Sequence, residues 1–94
     1  MIRNPPKNII DELRKKFNLN GALSIKREIS KLFKTYPDSD VLWNISGVVF
    51  LDLNELNKAK NCFENSIKIN PSSSKVQSNL GTVFLHLKNF NCSI

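Results

Sequence analysis

The 94-residue sequence predicts an all-α fold, a right-handed solenoid of helical hairpins, and three observations carry that reading. The first is an internal echo. Trp43, Gly47 and Phe50 recur thirty-four residues later as Gln77, Gly81 and Phe84, and Pro37 recurs as Pro71. A fixed period in this range marks stacked units, each burying its apolar face on its neighbours. The second is the three- and four-residue spacing of apolar side chains in consecutive stretches, which puts each set on one face of a helix. The third is punctuation: proline, glycine or asparagine stands where each stretch stops.

Asn4-Pro5-Pro6 reads as a helix start, because asparagine accepts orphan N–H groups and proline tolerates the first turn. Ile9, Ile10, Leu13 and Phe17 carry the first helix to about Asn18, and Gly21 supplies a residue free to take positive φ. Ala22, Ile25, Ile29, Leu32 and Phe33 form the stripe of a second helix. It ends at Tyr36-Pro37, since the residue before proline disfavours helical backbone. Asp38-Ser39-Asp40 caps a third helix that runs through Leu42, Trp43, Ile45, Gly47, Val49 and Phe50. A glycine inside a helix costs roughly 1 kcal/mol against alanine, so Gly47 and Gly81 call for a partner helix too close for a β-carbon. The turn Asp52-Leu53-Asn54 leads to a fourth helix, with Leu56, Ala59, Phe63, Ser66 and Ile67 inward and Asn70-Pro71 as its stop. Ser72 and Ser73 cap the fifth, whose stripe is Val76, Leu80, Val83, Phe84 and Leu87. Lys88-Asn89 reads as the next turn, with a sixth helix beginning near Phe90.

Trp-x-x-x-Gly-x-x-Phe at 43–50, Ala59-x-x-x-Phe63-x-x-Ser66 and Pro71 together resemble the tetratricopeptide repeat (TPR), a pair of antiparallel helices. The likeness makes 1–94 a single domain of about two and a half repeats: a divergent one at 5–37, a well-matched one at 38–71 and a partial one at 72–94. Ser46 and Ser66 stand where the family prefers leucine and alanine. In the first repeat Ile25, Ile29 and Leu32 keep the register of Ala59, Phe63 and Ser66. Ile10 and Phe17, however, precede Trp43 and Phe50 by thirty-three, and Arg14 replaces Gly47. A looser crossing of the first two helices is the expected result. Tyr36-Pro-Asp-Ser39 and Asn79-Leu-Gly81 look like bacterial repeat proteins that precede glycosyltransferase or sulfotransferase domains, which implies an arm that recruits substrate for such a domain. None of these residues belongs to a transferase domain itself.

Composition narrows the chemistry. A hydrophobic content of 40% with 23% charged residues fits a soluble folded chain. The start lacks the apolar stretch of a secretory signal, and the longest apolar run is Val48-Val-Phe-Leu51, so a cytoplasmic location is expected. Cys62 and Cys92 lie thirty residues apart with no second pair to make a zinc site. The single histidine, His86, falls near the end of the fifth helix, where an imidazolium suits the helix dipole. No phosphate loop and no glycine-flanked nucleophile occurs. The expectation is a binding protein without metal or cofactor, not an enzyme.

The resemblance implies that the first helix of each hairpin lines a concave face that takes an extended peptide or a partner helix, the role of a protein-interaction scaffold. That face would hold Asp11 and Lys15, then Asn44, Ile45 and Val48, then Lys75, Ser78, Asn79 and Thr82. The contact set is Asn44, Val48, Lys75, Asn79 and Thr82. An asparagine amide offers a donor and an acceptor side by side to a peptide main chain. Asn79 resembles the asparagine of a transferase-type amide ladder, but Ile45 holds the place one repeat earlier, which breaks the ladder. Of the carboxylate clamp that binds chaperone tails only Lys75 is matched, and Asp11 would repel a terminal carboxylate.

Charge raises a rival. The net charge is +6, and residues 1–36 hold nine Lys or Arg against three acids, whereas residues 37–94 hold five of each. Arg14, Lys15, Lys16, Lys26 and Arg27 form a candidate basic face for nucleic acid or an acidic partner. The last turn is followed only by Phe90 to Ile94, too little to cover the fifth stripe. A homodimer through Val76, Leu80, Phe84 and Leu87 is therefore expected.

Overall fold

In a computed structural model that describes residues 4–92, the fold is all-helical. The helices are α1 (Lys7–Asn20), α2 (Ala22–Thr35), α3 (Asp40–Asp52), α4 (Leu56–Ile69) and α5 (Ser74–Cys92), with no strand among the described residues. Each helix packs on the next in the chain, and α3 also reaches α5. No helix among the described residues is long and apolar enough to cross a membrane.

Local chemistry sets the boundaries. Gly21 takes φ 87° and its N–H donates to the Phe17 carbonyl at 2.9 Å, closing α1 and letting α2 start one residue later. Tyr36, ahead of Pro37, leaves the helical region, and its N–H ends α2 on the Leu32 carbonyl at 2.8 Å. Ser39 then caps α3: its Oγ accepts the Leu42 N–H at 3.1 Å and donates to the Asn4 Oδ1. Asn4 is thus no cap for α1, contrary to expectation. A cap there would serve the N–H groups two and three residues on, and Pro6 has none. The Pro6 carbonyl starts α1 instead, accepting from Ile9 and Ile10 at 3.0 and 3.2 Å.

Asn54, at φ 61°, turns the chain between α3 and α4. The turn expected at Lys88-Asn89 does not form, and α5 continues to Cys92. Lys88 stands thirty-four residues after Asn54, and lysine prefers helix to the left-handed conformation that asparagine tolerates. The sixth helix expected near Phe90 is therefore absent through Cys92; Ser93 and Ile94 lie outside the described residues.

The core has two parts. Ile10, Leu13, Ala22, Ile25, Ile29, Leu42, Ile45 and Val49 join α1, α2 and α3, with Phe17 and Phe33 packed against them. Leu56, Ala59, Phe63, Val76 and Val83 join α4 and α5, under Val48, Phe50 and Leu51 of α3. Phe63 is 0% exposed and its ring lies over Gly47, where a β-carbon would come within 2.7 Å of Cδ1 and Cζ. The close approach expected at Gly47 is therefore present; at Gly81 a β-carbon would meet nothing within 4 Å. α3 also packs on α4 far more extensively than α1 on α2, as Arg14 in the place of Gly47 implied.

Ser66 has a structural use. Its Oγ donates to the Asp40 carbonyl at 2.8 Å, and Asn70 Nδ2 donates to Asp40 Oδ2 at 3.1 Å, tying the end of α4 to the start of α3. The stripe of α5 is divided. Val76 and Val83 are buried against α4, and Leu80 and Leu87 are half-buried beside them. Val76 is thus unavailable to a partner, because α5 spends this face on the preceding helix rather than on a following one. Phe84 and Leu85, 46% and 60% exposed, remain outward.

Candidate functional site

A groove of about 590 Å³ lies where α1, α3 and α5 face one another, with Ile25 of α2 in its wall. Helical period places Asn44, Ile45 and Val48 on one side of α3, and these residues form the middle of the groove. Ser74, Lys75, Ser78 and Asn79 of α5 form one flank, and Arg14, Phe17 and Asn18 of α1 the other.

The groove brings together four of the five residues expected to contact a ligand: Asn44, Val48, Lys75 and Asn79. Thr82 lies outside it, one turn farther along α5, where its Oγ1 back-bonds to the Ser78 carbonyl at 3.2 Å. From α1 the expected Asp11 and Lys15 do not line it; Arg14, Phe17 and Asn18 do. These three share a stripe at spacings of three and four, a signal present in the sequence beside the charge of Arg14.

The amides of Asn44 and Asn79 meet at the centre. Asn79 Nδ2 donates to Asn44 Oδ1 at 2.9 Å, and both residues are half-buried. The pair uses one N–H of Asn79 and the oxygen of Asn44, so the Asn44 NH2 donors, and the Asn79 carbonyl and second N–H, stay free for a further partner. Ile45, at the position thirty-four residues before Asn79, is buried in the core, and the amide that meets Asn79 is that of its neighbour Asn44.

Electrostatics add a preference. Arg14 and Lys75 line opposite flanks, neither pairs with a carboxylate among the described residues, and no acidic side chain lines the groove. The groove therefore favours an anionic group in its mouth.

The five residues of the proposed basic face are not brought together. Arg14 belongs to the groove. Lys26 lies on the other side of α3, 5.6 Å over the Phe50 ring. Lys16 is bound to Glu28 at 2.6 Å, and that hydrogen-bonded carboxylate raises the lysine's pKa above its ordinary value. Lys15 and Arg27, like Arg14, stand exposed without an ion-pair partner among the described residues. The split arises because the basic residues occupy different faces of α1 and α2, which a count along the chain does not resolve.

No group of three or more His, Cys, Asp or Glu side chains able to hold a metal ion occurs among the described residues. Cys62 is a buried free thiol, and burial pushes its pKa up to about 11. The chain matches no family model, no curated protein and no solved structure.

Proposed function

We propose that the chain is a TPR-like right-handed solenoid of about two and a half helical-hairpin repeats, and that it binds an extended peptide along the α1–α3–α5 groove. The observation that carries this reading is the Asn44–Asn79 amide pair, whose free donor and acceptor match the C=O and N–H of a passing main chain. The apolar surfaces of Phe17 and Val48 would receive a side chain of the peptide, and Arg14 and Lys75 an acidic one. An arm that recruits a protein substrate for a separate transferase domain is a narrower form of the same reading.

A fluorescent peptide selected from a random display library tests it. Asn44→Ala and Asn79→Ala are each expected to weaken its binding about tenfold, the effect of one hydrogen bond worth about 1.4 kcal/mol. Thr82→Ala is expected to leave binding unchanged. Affinity that falls steeply with salt, and survives both asparagine changes, would favour the nucleic-acid reading instead.

Self-association is a second reading, supported by Phe84 and Leu85 standing exposed beside open space at Gly81. A second copy on that face would form a homodimer without using Val76. Light scattering of the parent beside Leu85→Lys tests this, and a parent that stays monomeric at micromolar concentration would rule it out.

A further inference from the structure

The tip of the first hairpin carries two exposed leucines among cations, and we propose that it docks on an anionic lipid surface without crossing it. Leu19 and Leu23 are 72% and 69% exposed, more than any other large apolar side chain among the described residues. Neither belongs to a core cluster. Gly21, at φ 87°, folds the chain back so sharply that α2 starts one residue after α1 closes. The two leucines therefore occupy the last turn of α1 and the first turn of α2, at one end of the hairpin.

Charge identifies the occupant. From Leu13 to Arg27 the chain holds five basic residues and no acid. Lys15 lies one helical turn behind Leu19, and Arg27 one turn behind Leu23, each on its leucine's face and about 6 Å back along the axis. Both are exposed and without an ion-pair partner among the described residues. Arg14 and Lys26 stand at similar depth on two further sides, one in the groove and one over Phe50. The acids of the next turn, Asp52 and Glu55, belong to the α3–α4 connection, and Glu55 is held by Lys58 at 3.2 Å. Cations spread around a hairpin axis do not follow the line of charge of a nucleic-acid backbone, and a folded acidic partner would need a cleft to receive a convex tip. A bilayer interface suits both features. Side chains that enter it by about 5–10 Å bring groups 6 Å behind them to the level of the lipid phosphates. The flexible stems of lysine and arginine adjust the remaining distance. This docking does not use the Asn44–Asn79 pair, so it stands apart from the peptide reading.

Flotation with lipid vesicles tests the proposal. The chain is expected to float with vesicles of phosphatidylcholine containing about 30% phosphatidylglycerol, and to bind pure phosphatidylcholine at least about tenfold more weakly. Leu19→Ser with Leu23→Ser should weaken binding to the anionic vesicles at least about tenfold. Lys15→Gln and Arg27→Gln should each weaken it about fivefold. All four side chains are exposed, so the circular dichroism should stay that of the parent. Leu85→Ser, which removes an exposed leucine elsewhere, should leave binding unchanged. The proposal is overturned if millimolar anionic lipid floats no protein, or if neutral and anionic vesicles bind alike. It is equally overturned if the double leucine variant binds as the parent does, because the cations alone would then suffice, as they would for a nucleic acid.

Discussion

The ring of Phe63 fills the space that a β-carbon on Gly47 would need, with Cδ1 and Cζ each 2.7 Å from that point. Phe63 is fully buried, so its ring has nowhere to retreat. Gly81, thirty-four residues on, stands in open space. The two glycines therefore answer the same substitution with opposite signs. Gly47→Ala gains roughly 1 kcal/mol of helix propensity and loses more to overpacking, about 1–3 kcal/mol or beyond, so it should destabilise. Gly81→Ala keeps the propensity gain and should stabilise by about 0.5–1 kcal/mol. Urea denaturation of both variants checks the signs, and a stabilised Gly47→Ala would refute the packing described for α3 and α4.

Removal of the ring itself should be severe. Phe63→Ala empties the centre of the second core cluster, where Ala59, Val76 and Val83 meet, and is expected to cost about 3–5 kcal/mol. In a domain this small such a loss approaches the whole stability. A variant whose thermal midpoint stays within a degree of the parent's would contradict it.

Two buried serines should behave differently. Ser66 donates to the Asp40 carbonyl, so Ser66→Ala is expected to lose about 1 kcal/mol. Ser46 has no partner, and Ser46→Ala removes an unsatisfied hydroxyl, with an expected gain of up to about 1 kcal/mol. Denaturant midpoints in the absence of added ligand measure both, and equal effects of one sign would show that the two sites are not distinguished by hydrogen bonding.

The Cys62 thiol predicts a fall in stability at alkaline pH. Burial raises its pKa from 9.0 to about 11, so between these values the unfolded chain gives up a proton that the folded chain keeps. Stability is therefore fully present below pH 9.0 and declines as pH rises toward about 11. Lys16, raised by Glu28, acts in the same direction at still higher pH, so the comparison needs Cys62→Ala, in which the cysteine contribution disappears. Denaturation of parent and variant across this range should give converging curves as pH rises. A constant gap between them would mean the thiol titrates alike in both states.

Much of the helical framework was legible in the sequence because its determinants are local. Gly21, Tyr36-Pro37, Ser39, Asn54 and Asn70-Pro71 act on backbone within a few residues of themselves, and the helices stop or start there. The apolar stripes of α2 and α4 likewise follow from a period of 3.6 residues, and Ile25, Ile29, Ala59 and Phe63 are buried as that period demands. At Asn4, which bonds to Ser39, and at Lys88-Asn89, which stay helical, the local signal is weak and the structure departs from it.

The candidate site belongs to the other category. The meeting of Asn44 with Asn79, the entry of Arg14 into the groove and the dispersal of the basic residues all join or separate groups on different helices. So does the covering of Val76 by α4 rather than by a partner. Sequence by itself determined which residues share a face of one helix. Tertiary structure alone decided which neighbour covers that face, because the rotation and offset between two packed helices come from the shapes of both surfaces together, such as a phenyl ring seated on a glycine.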